Sequence, residues 1–580
     1  MAPFVNRVID RLGLKEPRRA LALVVLAALV ARLIALDVRV AHWDEARVGY
    51  WILHTADTGW WEYRPIIHGP FVQHVTRWTF AVAGVSDFTM RLPVALIGSA
   101  LPATALLFRS RLRDVETIAL GVILAANPLL LYYSRFMRSD LPLAAFAFVT
   151  LGAIVAAIDT DRRRYLHLAA IAFALALTTK ENAVLYPVSW LGAGTLVVLS
   201  RLAADHYDGG DPIATLRSWV TATRRRAWAW RRTLLALPFE ILAVVAFFYA
   251  PRSPEADAGL FSALADPTLL PGVLGQATVG ATGELMDLWL SPSVRGHAYA
   301  PYLAHFLVVL AMASAGTAVL AVLAVRWQPR PLVTFCGWWA LSGVVGYPYV
   351  ADIKAPWLAI HVVVALAIPA AVGLLAVVER FRAARIERRQ LASVGLALLL
   401  VFSGVFAVAS AGFTTYHQPP DGFNVVAQSG QPGGDIRPVL QDIRAVAGHN
   451  DGTDVLYYGN LSFRDETWAN HPPAPSDWFN RLPIPWYTER ANATVDSVET
   501  AEGLPTNPPP VVIAEGRDRA ELAAALDGYA VREEAILIRG GRRTIEVFGF
   551  EYHLGGKTFA FFIDRDALEA ATAGRDSAPS

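Results

Sequence analysis

The feature that most constrains this chain is an alternation of long apolar runs with short breaks of two kinds. A helix needs about 20 apolar residues to cross a bilayer. About eleven runs approach that length, at 20–38, 89–108, 115–133, 141–158, 165–178, 183–200, 234–250, 301–325, 331–350, 357–378 and 391–412. Arginine-rich breaks (109–113, 162–164, 201–232, 326–330 and 380–389) fall on one side, which the positive-inside rule makes cytoplasmic. The other side carries Asp44-Glu45, Ser134–Asp140, Thr179–Asn182, the loop 251–300 and Asp352–Pro356. An odd number of spans puts the N-terminus in the cytoplasm and the C-terminal part outside. Arg7, Arg11, Lys15, Arg18 and Arg19 ahead of the first run agree with that orientation. The first run is too long for a signal-peptide core and is expected to be retained.

With 54% hydrophobic and only 17% charged residues, the chain reads as a multi-pass plasma-membrane protein rather than a soluble enzyme. A formal net charge of +1 implies no nucleic-acid partner. The single cysteine, Cys336, lies in an apolar run and has no internal partner for a disulfide. The expected fold is an α-helical polytopic membrane protein with a C-terminal external α/β domain. The membrane module covers 1–412, with an interfacial loop at 39–88, and the external domain covers 413–580.

The external part carries 24 acidic against 14 basic residues. Short β-like runs are expected at Val455–Tyr458, Val511–Ala514, Ala535–Arg539 and Thr544–Phe548, with an amphipathic helix near Asp518–Asp527. Two sequons, at Asn460 and Asn492, agree with an external position. The aromatic residues around Trp468, Trp478, Phe479 and Trp486 read as domain core or as a sugar- or protein-binding surface.

Charged groups cluster where membrane sequence rarely tolerates them. Asp44 and Glu45 follow the first span in a stretch rich in tryptophan and tyrosine. Two adjacent acids there suggest a general base, a metal ligand, or both, with a divalent ion such as Mg or Mn as the candidate metal. Taken alone, such a pair is more often the start of a solvated loop. Arg135, Arg138 and Asp140 then end one loop, Lys180-Glu181 ends the fifth span, and Lys354 precedes the tenth. Of 51 basic residues only four are lysine, and two of these, Lys180 and Lys354, fall at span ends on this side. Basic groups at a membrane face suit a lipid-linked phosphate, and an opposed carboxylate suits deprotonation of a hydroxyl. His68-Gly69-Pro70 reads as a turn within the interfacial loop.

The order of these stretches resembles the protein O-mannosyltransferase-like branch of the GT-C glycosyltransferases. The stretches are Asp44-Glu45, Asp87-Phe88-Thr89-Met90-Arg91-Leu92-Pro93, Ser134-Arg135-Phe136-Met137-Arg138-Ser139-Asp140 and Thr179-Lys180-Glu181-Asn182. Over roughly 15–412 the chain is most similar to an archaeal subfamily labelled flippase activity-associated, tied to protein N-glycosylation. The resemblance implies a polyprenyl (dolichyl) phosphate-linked sugar, mannose by family habit, as donor, and a lipid-linked glycan or protein as acceptor. It implies Asp44 as the base on the acceptor, Glu45 as its orienting neighbour, and Arg138 and Lys180 near the donor's lipid phosphate. Arg135 and Lys354 are further candidates for that phosphate. His68, Asp140 and Glu181 are candidates for the acceptor or its loop, although His68-Gly69-Pro70 stands where the family commonly has a proline pair.

Three functions fit. The first is an inverting transferase that uses the lipid-phosphate sugar. The second is a non-catalytic flippase-associated component, which needs the cations but not Asp44 as a base. The third is a scaffold whose external domain recruits glycosylation-pathway proteins.

Overall fold

The structure, a computed structural model, describes residues 16–576 apart from 64–68, 253–258, 291–296, 352, 418–423, 425, 428–429, 431–434, 448, 451, 464–475, 537–542, 548–549 and 555–556. His68, Asp352 and Trp468 lie outside the described residues.

The apolar runs fold as helices. They are α1 (Pro17–Leu33), α2 (Trp43–Thr58), α3 (Pro70–Ala83), α4 (Asp87–Ala100, extended by a 3-10 segment to Phe108), α5 (Asp114–Ala126), α6 (Pro128–Tyr133) and α7 (Asp140–Thr160). Then come α8 (Arg164–Thr179), α9 (Leu185–Tyr207), α10 (Pro212–Tyr249), α11 (Tyr299–Trp327), α12 (Pro331–Val350), α13 (Ala359–Ile386) and α14 (Gln390–Ala411). Each of the eleven apolar runs falls on one or two of these. Among the described residues, seven helices are long and apolar enough to cross a membrane. The chain is a multi-pass membrane protein.

α13 is apolar all round and buried along most of its length, as a helix without a polar face must be. It packs between α11 and α12. Its crossing with α11 is close because Gly373 lies against the Leu320 carbonyl, where a Cβ would collide with backbone. α14 has the opposite character: nearly all of its apolar surface is exposed, as on a lipid-facing helix.

The interfacial loop folds into α2 and α3. Both lie at the bundle end that carries Asp44. The opposite end is laced by ion pairs among the charged breaks, Arg111–Asp159, Arg113–Glu379 and Arg330–Glu116.

The C-terminal region has a five-stranded mixed sheet. Its strands are β1 (Val455–Tyr458), β2 (Val495–Val498), β3 (Val511–Glu515), β4 (Tyr529–Ala535) and, between β3 and β4, Thr558–Asp564. β1 runs parallel to β2 and β3, and the Thr558–Asp564 strand runs antiparallel to β3 and β4. A separate hairpin pairs Arg543–Val547 with Phe550–Leu554. The expected strand at Ala535–Arg539 is corrected: strand β4 ends at Ala535, and residues 537–539 lie outside the described ones. The Thr558–Asp564 strand, between β3 and β4, escaped the sequence reading. It is buried on both faces, so it lacks the polar alternation that marks a half-exposed strand.

This domain is seated on the membrane part. Trp478, Leu482 and Trp486 share one apolar cluster with Tyr50, Trp51, Met90, Met137 and Phe248. Asp87, the N-terminal residue of α4, accepts hydrogen bonds from Trp486 Nε1 at 2.8 Å, Arg490 Nη1 at 3.0 Å and the Tyr487 hydroxyl at 3.2 Å.

Candidate functional site

The site starts at the N-terminus of α2. His42 caps the helix: its Nδ1 accepts the Asp44 amide at 3.0 Å, while the Glu45 carboxylate accepts the His42 amide at 2.9 Å. Burial pushes the His42 pKa down to about 4, so the ring is neutral near pH 7 and Nδ1 is free to accept. The two acids stabilise the positive end of the helix. Successive helical residues diverge by about 100°, so the two side chains take opposite environments.

Glu45 points inward and is 0% exposed. It is gripped by Arg91 through Nε at 3.0 Å and Nη2 at 2.9 Å, by Arg39 Nη2 at 3.2 and 3.3 Å, and by the Met137 amide at 2.9 Å. Burial opposes ionisation of this carboxyl, but the Arg39 and Arg91 charges overcome it and hold Glu45 below the usual carboxylate range. Arg91 also donates to the Leu36 and Arg39 carbonyls, both at 2.8 Å. The expectation of Glu45 as a catalytic group or metal ligand is therefore corrected. Both its oxygens are consumed in tying the loop after α1 to α4 and to the loop before α7.

Arg135 is corrected as well. Its guanidinium caps the C-terminal end of α1, donating from Nη1 to the carbonyls of Ala31, Arg32 and Ile34 and from Nη2 to that of Ala35, at 2.6–3.2 Å. Those donors are spent on backbone and are not offered to a phosphate.

Asp44 turns the other way and meets Arg138, with Nη1 to Oδ2 at 2.5 Å. Burial alone would lower the Arg138 pKa, but Asp44 and Asp140 outweigh it and raise it. Arg138 also lies over the Trp357 ring, 3.8 Å from its centroid. Its Nε is 3.5 Å from Asp140, and Lys180 Nζ reaches the same carboxylate at 2.8 Å. Behind Asp140 stands His361, 3.6 Å away, whose Nδ1 is 2.6 Å from the Tyr186 hydroxyl. The result is a charge chain, Asp44–Arg138–Asp140–Lys180, drawn from three loops. Asp140 is sealed inside, whereas Asp44 and Lys180 each keep 15% of their side chains accessible. A ligand would meet those two groups.

The remaining candidates lie around this chain. Glu181 accepts the Tyr63 hydroxyl at 2.8 Å and so binds the interfacial loop to the end of α8. Gly69, after the His68 position, donates to the Thr179 carbonyl at 2.9 Å, next to Lys180. Lys354 is exposed and makes no hydrogen bond or ion pair with this cluster among the described residues. Sequence reading missed Arg39, His42, Arg91, Tyr186, Trp357 and His361 as parts of the site. His361 had a usable signal, a lone histidine in the apolar run of α13, and Arg91 stood inside the Asp87–Pro93 stretch.

No group of three or more His, Cys, Asp or Glu side chains is placed to hold a metal ion among the described residues. With Glu45 fully engaged, the pair Asp44/Glu45 does not fit a two-carboxylate metal site.

Residues 67–206 match the family model described as dolichyl-phosphate-mannose-protein mannosyltransferase, and residues 436–564 match that of the Agl23 flippase-associated protein C-terminal domain. A search among curated proteins returns no match. ArnT from Cupriavidus metallidurans in the apo state superposes with a TM-score of 0.53 at 17% identity, covering 94% of this chain and 98% of that one. The same protein bound to undecaprenyl phosphate gives 0.51 at 16%, covering 93% and 97%. The oligosaccharyltransferase of Archaeoglobus fulgidus in the apo form gives 0.46 at 13%, covering 83% and 64%. At these identities the shared property is the fold. The chain thus shares the fold of ArnT over nearly its whole length, and two of its segments are similar to the mannosyltransferase and Agl23 C-terminal domain families.

Proposed function

We propose that this protein transfers a sugar, with inversion, from a polyprenyl (dolichyl-type) phosphate to a lipid-linked glycan or protein acceptor at the external face of the plasma membrane. The observation that carries this reading is the charge chain, with one accessible carboxylate at one end and one accessible ammonium at the other. Asp44, held by Arg138 through Oδ2, is the carboxylate that takes the proton of an acceptor hydroxyl. The hydroxyl oxygen forms a bond to the anomeric carbon as the bond from that carbon to the phosphate oxygen breaks. The departing lipid phosphate gains charge, and Lys180 and Arg138 stabilise it. Asp140 holds both cations in place, and Glu45, through Arg91 and Arg39, holds the turn that presents Asp44. A protein of the same fold binds undecaprenyl phosphate, which supports a polyprenyl phosphate donor here. The arginine-rich breaks at the opposite end of the bundle support an external site and a cytoplasmic N-terminus.

The test is transfer by the purified protein in lipid, supplied with polyprenyl-phosphate-linked mannose or glucose and lipid-linked acceptors. Loss of a general base costs about 10²–10⁴ in rate. Asp44→Asn is expected to lose transfer on that scale while the protein stays folded; retained activity removes Asp44 from the mechanism.

The match of 436–564 to a flippase-associated domain favours one second reading, a component that handles lipid-linked sugar without chemistry. In that case Asp44→Asn keeps function and Lys180→Ala loses it.

A further inference from the structure

Arg47 stands apart from the other arginines around Asp44. Arg39, Arg91, Arg135 and Arg138 are each committed to a carboxylate or to helix carbonyls. Arg47 has no hydrogen bond or ion pair among the described residues, and its Nε is buried without a partner. It follows Asp44 by three residues on α2, so the two share one helix face. Its guanidinium lies against a pair of aromatic rings, 4.6 Å from the centroid of Phe479 and 5.6 Å from that of Trp43. Those rings are 5.6 Å apart, and Trp43 Nε1 donates to the Phe479 carbonyl at 3.3 Å. One ring of this pair thus comes from the membrane part and the other from the C-terminal domain.

A half-buried guanidinium that feels Asp44 only at a distance, with no hydrogen-bonded partner among the described residues, has given up hydration without a direct contact in return. An anion arriving from outside restores the balance, and a planar guanidinium suits phosphate oxygens. Burial already presses on this cation, lowering its pKa to about 10 against the pull of Asp44.

We infer that Arg47, Trp43 and Phe479 form the acceptor subsite and hold the phosphate of a lipid-linked glycan. This rests on the proposed transferase reading and sharpens its acceptor class. Asp44 then stands between two cationic sites. Arg138 and Lys180 take the phosphate that leaves with the donor lipid, and Arg47 takes the phosphate that the acceptor keeps. The two rings present apolar faces to the sugar beyond it. A protein acceptor carries no obligatory anion and would leave Arg47 unpaired.

The experiment is equilibrium binding to the full chain in lipid nanodiscs, without catalysis. The acceptor-side probe is a prenyl pyrophosphate bearing a disaccharide, and the donor-side probe is a sugar-free prenyl monophosphate. Arg47→Gln should weaken the pyrophosphate probe about tenfold, the loss of one charge-assisted contact, and leave the monophosphate probe within about twofold. Lys180→Gln should do the reverse, and Arg47→Lys should recover part of the loss. Unchanged binding of both probes to Arg47→Gln overturns the assignment. So does an equal loss of both, or an Arg47-dependent affinity for an uncharged acceptor peptide. Because no transfer is measured, a failure of Asp44→Asn to abolish activity would sink the transferase reading and leave this result standing.

Discussion

The hydroxyl of Tyr487, in the C-terminal domain, accepts the backbone N–H of Ala41 at 2.7 Å, three residues before Asp44. The same hydroxyl donates to Asp87 at the start of α4. The C-terminal domain is therefore a brace for the turn that presents the candidate base. Tyr487→Phe removes both hydrogen bonds; the one to Ala41, worth about 1 kcal/mol, bears on the turn and its loss should lower turnover about fivefold. Binding of a prenyl monophosphate should stay unchanged, since Lys180 and Arg138 are untouched. Turnover equal to wild type would show that the brace has no part in positioning Asp44.

Glu45 and Asp44 are neighbours with opposite expected phenotypes. Glu45→Ala leaves Arg91, itself 0% exposed, without its carboxylate. Breaking such a buried pair costs about 3–5 kcal/mol. The variant should show a clear fall in thermal midpoint or fail to accumulate in the membrane, whereas Asp44→Asn should melt close to wild type. A Glu45→Ala protein of normal stability but no activity would return Glu45 to the chemistry.

The turn at His42 makes the fold acid-sensitive. The folded pKa of His42 is depressed to about 4 by burial, against about 6.5 when unfolded. The unfolded chain takes the proton first, so stability is complete above about pH 6.5 and is lost as pH falls toward 4, by about 3 kcal/mol in all. Glu45, also depressed, adds a loss that begins only below the ordinary carboxylate range near pH 4. His42→Asn keeps a helix-capping oxygen and removes the titration. Its thermal midpoint should vary less than that of wild type between pH 6.5 and 4.5; parallel curves would clear His42 of the effect.

Gly49 faces the docked domain. A Cβ there would lie 2.8 Å from Trp486 Cε3 and 3.3 Å from Met90 Sδ. Trp486 is fully buried and bonded to Asp87, so the ring has nowhere to go. Gly49→Ala should cost about 1–3 kcal/mol of packing and loosen the seat of the C-terminal domain. Limited proteolysis should then cleave between 412 and 436 faster than in wild type, and an unchanged cleavage rate would contradict this account.

The helices were legible because membrane-spanning segments announce themselves locally. Length, apolarity and the side on which arginine collects are properties of each segment alone. The stretches around Asp44, Arg138 and Lys180 were legible for a similar reason, since charge at a span end is rare. The strand Thr558–Asp564 was hidden because burial on both faces erases alternation.

The roles of the individual charges were not legible, and the reason is geometric. Asp44 and Glu45 are adjacent acids, and nothing local says which one faces a ligand and which one faces Arg91. Arg135 and Arg138 lie three residues apart in one loop, yet one caps α1 and the other meets Asp44. Arg91, Trp357, His361 and Tyr487 come from distant parts of the chain and reach the site only when the helices pack. The sequence alone determined where the long apolar helices fall and at which end the charges gather. Only the tertiary structure decided which charges are neutralised by the protein and which are left for a ligand, because that depends on partners far apart in the chain.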